Sequence, residues 1–184
     1  MLKNADYIWN NIIIADEKNT TKQYCKKAQV GVDLSLRKIC KLNTPGYVLK
    51  SKTIASEQEE LPKILFQLPE SQESVTGWHI PKGTYIIHLN EGCNFGPNDT
   101  GYIILRSSLN RSGATIVSAV WDPGYCSQDG DVINTMSIRI NVDTDLGIYI
   151  EENARVAQLL VFESEDTEQY NGQWQGGQIV SKLK

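Results

Sequence analysis

Residues Gly101–Tyr125, GYIILRSSLNRSGATIVSAVWDPGY, decide how this chain is read. Tyr102–Leu105 is a short apolar run rich in β-formers and reads as a strand. Arg106, Ser107 and Ser108 follow at its end. An Arg fork beside two hydroxyls at a chain reversal is suited to gripping phosphate oxygens. Thr115–Trp121 reads as a second strand, and it runs into Asp122-Pro123-Gly124-Tyr125. That is a Pro-Gly turn carrying one carboxylate and one aromatic ring. A phosphate grip and a carboxylate on adjacent strand ends are the equipment of phosphoester chemistry.

The flanking sequence is mostly short β runs with frequent turns. Asn4–Ile14 reads as a short helix with Asn4 as its N-cap, although Ile12-Ile13-Ile14 equally fits the start of a strand. Asp16–Lys27 is polar and reads as a loop. Gln29–Leu36 alternates and reads as a strand carrying Asp33. Asn43-Thr44-Pro45-Gly46 is a turn signal with a β pair expected on either side. Gln58–Ser74 is rich in Glu, Gln and Pro, with a strand expected at Ile64–Leu68. Trp78–Asn90 gives two β runs around Pro81-Lys82-Gly83. In Val132–Asn141, Met136, Ile138 and Ile140 share one face. Ile148–Ile150 and Val156–Phe162 are further strands, and Gly172–Gly177 is expected to be mobile unless a ligand orders it. Many short strands and little helix give a mainly β chain, a barrel or sandwich.

At 184 residues the chain is expected to form one domain, 1–184, with room for a core. A formal net charge of −4 argues against a general nucleic-acid binder. Lys22, Lys26 and Lys27 make a small basic cluster that reads as solvated surface. Cys25, Cys40, Cys93 and Cys126 contain no CxxC pair. That argues against a zinc site of the usual spacing, and so against zinc-dependent nucleotide deaminases. Met1–Asn10 has no apolar signal core and no apolar run reaches membrane length, so no membrane partner is expected. Free thiols fit a reducing cytoplasm.

Other segments complete a pattern. Val30-Gly31-Val32-Asp33-Leu34 precedes the central stretch, with Glu91 ahead of the Arg-Ser-Ser turn. Asn153–Phe162, NARVAQLLVF, and Tyr170–Gln178, YNGQWQGGQ, follow it. With RSSLNRSG and VWDPGY, these make five short motifs in order over about residues 30 to 178. Together they resemble the dUTPase / dCTP deaminase superfamily, deaminase-like in spacing. The resemblance implies a distorted β-barrel or jelly roll and a homotrimer whose sites borrow motifs from more than one subunit. Trp121 and the Cys126–Gly130 loop are then expected near a neighbour. It also implies a flexible C-terminal arm at about 168–184.

The resemblance gives each candidate residue a role beside its plain reading. Asp122 alone reads as a turn acid; the resemblance makes it the general base for water attacking a phosphorus. Tyr125, otherwise core packing, would lie against the deoxyribose and leave no room for a 2′-hydroxyl. Arg106, Ser107 and Ser108, otherwise a turn cap, would hold triphosphate oxygens, with Arg111 and Gln158 beside them. Asp33, otherwise a strand acid, would support that region. Tyr170 and Trp174 belong to the arm, where Trp174 can stack on a base. In the arm, Gln173 stands where a Lys usually meets phosphate. Mg²⁺ is implied, held mainly through substrate phosphates.

Deaminating members carry a Glu on the strand after the Asp motif. Anchored on Asn141, that position is Ile138, and no Glu occurs between Glu91 and Glu151. An Ile moves no protons. The expected activity is therefore a dUTP diphosphatase, giving dUMP and pyrophosphate. The rivals are a dCTP deaminase, alone or bifunctional, and a non-catalytic nucleotide-binding protein on the same fold. A modified pyrimidine nucleotide is a further candidate substrate.

Overall fold

The computed structural model describes residues 1–14, 22–117, 119–129, 132–165 and 168–175. Short elements open the chain. Helix α1 (Ala5–Tyr7) runs into a π-turn at Ile8–Ile12, and the Asn4 side chain caps it by accepting from the Tyr7 N–H at 2.8 Å. Then come β1 (Ile13–Ile14), β2 (Lys26–Lys27), β3 (Val32–Leu42), β4 (Tyr47–Val48), β5 (Thr53–Ile54) and β6 (Gln58–Glu60). They are followed by β7 (Ile64–Gln67), β8 (Ser74–Ile80), β9 (Gly83–Leu89), β10 (Gly92–Cys93) and β11 (Asp99–Leu105). After α2 (Ser107–Arg111) come β12 (Ala114–Val117), β13 (Val120–Trp121), β14 (Gln128–Asp129) and β15 (Val132–Ile133). The last are β16 (Ser137–Val142), β17 (Ile148–Glu151) and β18 (Arg155–Glu163).

The main sheet runs β12-β16-β9-β3-β18-β11-β13, with β2 and β6 also paired to β3. A smaller sheet, β17-β8-β7, packs Trp78, Ile80, Ile148 and Ile150 against Leu34, Leu36, Ile39, Ile87 and Ile140 of the main one. Burying each such aliphatic side chain contributes roughly 1.5–3 kcal/mol. The Met136, Ile138 and Ile140 face is buried, as its alternation implies. Among the described residues no helix is long and apolar enough to cross a membrane.

Several local expectations change. Thr115–Trp121 is two strands in two places. β12 pairs with β16 and β13 pairs with β11, so the run crosses from one end of the sheet path to the other. The β4–β5 hairpin turns at residues 49–52, not at Pro45-Gly46. The Arg-Ser-Ser turn is the start of α2, and Lys26–Lys27 is a strand rather than loop. At the N-terminus both readings hold: helix-like turns to Ile12, then a strand at Ile13–Ile14 paired with β10. Residues 176–177 of the glycine-rich arm, and Gly130, lie outside the described residues.

Gly31 explains why the first motif needs glycine. Its φ is 80°, and a Cβ there would lie 2.2 Å from the Leu159 carbonyl oxygen. The close approach lets β3 pair with β18 from its first residues, Val32 and Asp33.

A buried carboxyl and a half-buried imidazole give the fold opposing pH responses. Glu91 is fully buried and accepts from the Ser35 N–H at 3.0 Å and the Ser35 hydroxyl at 2.6 Å. Burial pushes its carboxyl up to about 7, against the Ser35 bonds that favour the charged form. His88 bonds Gln58 Oε1 at 2.8 Å, and burial followed by the charges of Lys38 and Arg37 lowers it to about 4. Glu91 therefore contributes stability that is complete below its ordinary 4.5 and lost as pH rises toward 7. His88 contributes stability that is complete above its ordinary 6.5 and lost as pH falls toward 4. Each slope is about 1.4 kcal/mol per pH unit, so the two nearly cancel between pH 4.5 and 6.5. Glu91→Gln is expected to unmask the His88 term, so that denaturant midpoints fall on acidification much faster than in the parent. Parallel profiles for the two proteins would contradict this pairing.

Candidate active site

β13 delivers Asp122 to solvent at a tight turn. The Tyr125 N–H donates to Asp122 O at 3.1 Å, Pro123 sits at the second position, and Gly124 takes φ 78° at the third. That is the pattern of a type II turn, which requires φ > 0 where the glycine stands. The turn is fastened from behind: Gly124 N–H donates to Gly96 O at 3.1 Å and Phe95 N–H to Tyr125 O at 2.8 Å. Pro123 is buried while the Asp122 carboxylate is exposed, so the fold spends its packing on aiming the acid.

An aromatic row backs this turn. Phe95 and Trp121 lie 6.4 Å apart, Trp121 and Tyr125 meet edge-on at 5.0 Å, and Tyr125 and Tyr170 at 5.6 Å. Burial raises the Tyr125 phenol well above its usual range, so the ring is a neutral wall at physiological pH. Asp122, Tyr125, Tyr170 and Trp174 line one cavity of about 600 Å³. Ile138, which the resemblance matches to the Glu of deaminating members, borders this cavity, but its side chain is only 6% exposed and faces the core with Met136 and Ile140.

The second group of candidates sits on the outer face of the β3-β18-β11 part of the sheet. Arg106 Nε lies 3.1 Å from Asp33 Oδ2, and its Nη1 donates to Arg155 O at 3.0 Å. Gln158 is opposite Asp33 in the β3–β18 register and opposite Ile104 in the β11–β18 register. Ser107, Ser108 and Arg111 continue exposed on α2. Asp33 and the Arg155 carbonyl thus orient the Arg106 guanidinium.

The two groups are not brought together within one chain. The expectation of adjacent strand ends fails because β11 and β13 are antiparallel, with Gly101 opposite Trp121. Arg106 leaves one end of the pair and Asp122 the other, roughly 20 Å apart at about 3.3 Å per residue. Between them lies an exposed apolar surface that includes Tyr102, Ile104, Val120 and Phe162.

Several residues were not singled out by the sequence reading. Ser137 and Arg139 line the cavity from the strand face opposite Ile140, and Gln58 reaches it from β6. Only the period-2 pattern of β16 hinted at the first two. Lys26 lies opposite Asp33, beside the Arg106 group. Gln175 contacts the Asp122 turn from the arm. Among the described residues no group of three or more His, Cys, Asp or Glu is placed to hold a metal ion.

The family model for dCTP deaminase-like proteins matches residues 5–164. A probable deoxyuridine 5′-triphosphate nucleotidohydrolase of Archaeoglobus fulgidus is 32% identical over 152 residues, covering 82% of this chain and 81% of that protein. The deoxyuridine 5′-triphosphate nucleotidohydrolase of Methanocaldococcus jannaschii is 30% identical over 151 residues, covering 80% and 86%. The crystal structure of 2′-deoxycytidine 5′-triphosphate deaminase from Agrobacterium tumefaciens superposes with a TM-score of 0.54 at 12% identity. It covers 90% of this chain and 48% of that one, and shares the fold. The chain belongs to the dCTP deaminase-like family of the dUTPase / dCTP deaminase superfamily.

Proposed function

We propose that this chain is a dUTP diphosphatase, converting dUTP and water to dUMP and pyrophosphate. The observation that carries the reading is the composition of one cavity, which Asp122 and Tyr125 line and, among the described residues, no Glu does. A base for water and a wall for the sugar are present, and among the described residues no Glu lines the cavity to shuttle protons for deamination. The names of the archaeal relatives point the same way.

In this reading Asp122 takes a proton from water as the water oxygen bonds to the α-phosphorus. The bond from that phosphorus to the bridging oxygen breaks, and pyrophosphate leaves with the electron pair. Tyr125 lies against the deoxyribose. Backbone groups between Gly113 and Met136 read uracil, because a wrong base leaves buried donors and acceptors unpaired. Arg106, with Ser107, Ser108, Arg111 and Gln158, holds the phosphates.

A triphosphate cannot reach from Asp122 to the Arg106 of the same chain across that separation. The complete site therefore takes its phosphate grip from a second copy, in a homotrimer that covers the Tyr102–Phe162 surface. The donor set fits Mg²⁺ carried on substrate phosphates, since among the described residues Asp33 and Asp122 belong to no cluster of three or more His, Cys, Asp or Glu. When bound, the ion spreads charge on the leaving pyrophosphate. The four free thiols fit a cytoplasmic enzyme.

The test is a pyrophosphate-release assay with Mg²⁺ and each deoxynucleoside triphosphate in turn. Release from dUTP alone is expected. Release from none of them leaves only a binding protein.

A further inference from the structure

Gln175 is exposed, yet both ends of its amide are engaged. Nε2 donates to the Gly124 carbonyl at 3.0 Å, and Oε1 accepts the Cys126 N–H at 3.3 Å. These are the backbone groups on either side of Tyr125. One side chain thus does what a neighbouring strand would do, at the residue whose ring forms the cavity wall. The rest of the arm lies on the same turn. Tyr170 N–H donates to Pro123 O at 2.7 Å, Trp174 N–H donates to the Tyr170 hydroxyl at 3.2 Å, and the Tyr170 ring meets Tyr125. Ordering a Gln side chain costs conformational entropy, so two bonds to one short stretch of backbone fix that stretch as well as the arm.

We propose that Gln175 is a positioning residue that holds the Tyr125 wall from within the same chain, and so sets how strongly a 2′-hydroxyl is rejected. This rests on the reading of Tyr125 as the wall against the deoxyribose. Exclusion by lack of room works only if the wall cannot yield. Tyr125 follows a glycine at positive φ, a link that resists displacement weakly by itself. The Gln175 amide closes that freedom on both sides of the ring.

The test compares kcat/KM for dUTP and UTP in the full chain, in Gln175→Ala and in Gln175→Glu. Losing two exposed hydrogen bonds is expected to lower the dUTP/UTP ratio roughly tenfold in Gln175→Ala. The fall comes mostly from better use of UTP rather than from lost kcat on dUTP. Gln175→Glu keeps an acceptor for Cys126 but sets a carboxylate against the Gly124 carbonyl, so it should discriminate no better than the alanine variant. A lowered melting temperature with an unchanged ratio in both variants would mean that Gln175 merely tethers the arm, and would overturn the proposal.

Co-expression with Asp122→Asn tests the same-chain claim. Every working Asp122 then sits on a Gln175→Ala chain, and mixed assemblies should keep the relaxed ratio. Recovery of the parent ratio would show that the latch comes from a neighbour. A parent protein that already treats dUTP and UTP alike would instead sink the sugar-wall reading itself. That result is distinct from a discriminating parent matched by an equally discriminating variant.

Discussion

Asp122→Asn is expected to slow dUTP hydrolysis by roughly 10²–10⁴-fold, the range of a lost general base. The substitution keeps the shape of the side chain but removes its ability to take a proton from water. The fold should not notice. The Asp122 carboxylate is exposed, and the turn is held by backbone bonds and by buried Pro123. Exposed substitutions of this kind usually change stability by less than about 0.5 kcal/mol. KM for dUTP should also change little, because the proposed phosphate grip around Arg106 lies elsewhere. Steady-state kinetics and a thermal melt on the same preparation check all three statements. A loss of only a few-fold would return Asp122 to the role of an ordinary turn acid.

Arg106→Ala is expected to damage both stability and activity, for separable reasons. Arg106 pairs with Asp33, whose side chain is only 11% exposed, and also bonds the Arg155 carbonyl. Removing Arg106, itself 32% exposed, strands the nearly buried Asp33 carboxylate and costs roughly 1–3 kcal/mol. The same arginine is assigned to the triphosphate, so turnover should fall with it. Adding Asp33→Asn to Arg106→Ala removes the stranded charge and should restore most of the lost stability. It should not restore turnover, because no guanidinium returns to meet phosphate. Arg106→Lys should behave as a partial loss, since an ammonium lacks the planar fork. Recovery of activity in the double variant would show that Arg106 serves the fold alone.

Much of the architecture was legible because the strands carry their own signals. The alternation of Met136, Ile138 and Ile140 and the Asp122-Pro123-Gly124 turn needed no tertiary information. What was not legible depended on pairing. Thr115–Trp121 reads as one strand, and only the sheet reveals that its halves pair with β16 and β11. The same antiparallel pairing separates Arg106 from Asp122, although both follow strands that are neighbours. Lys26 and Gln175 carry no local signature, so their places beside Asp33 and Tyr125 emerge only from register and from the fold of the arm. Gly31 illustrates the reverse case: its motif was visible, but the reason for glycine was the Leu159 carbonyl.

The central claim is that the Asp122 cavity hydrolyses a uracil nucleotide and cannot deaminate a cytosine one. Its most direct test is to incubate the purified chain with Mg²⁺ and either dUTP or dCTP, and to separate the products by chromatography. The account predicts dUMP and pyrophosphate from dUTP, with dCTP recovered intact. Formation of dUTP or dUMP from dCTP would contradict it, since among the described residues no Glu lines the cavity to move the required protons.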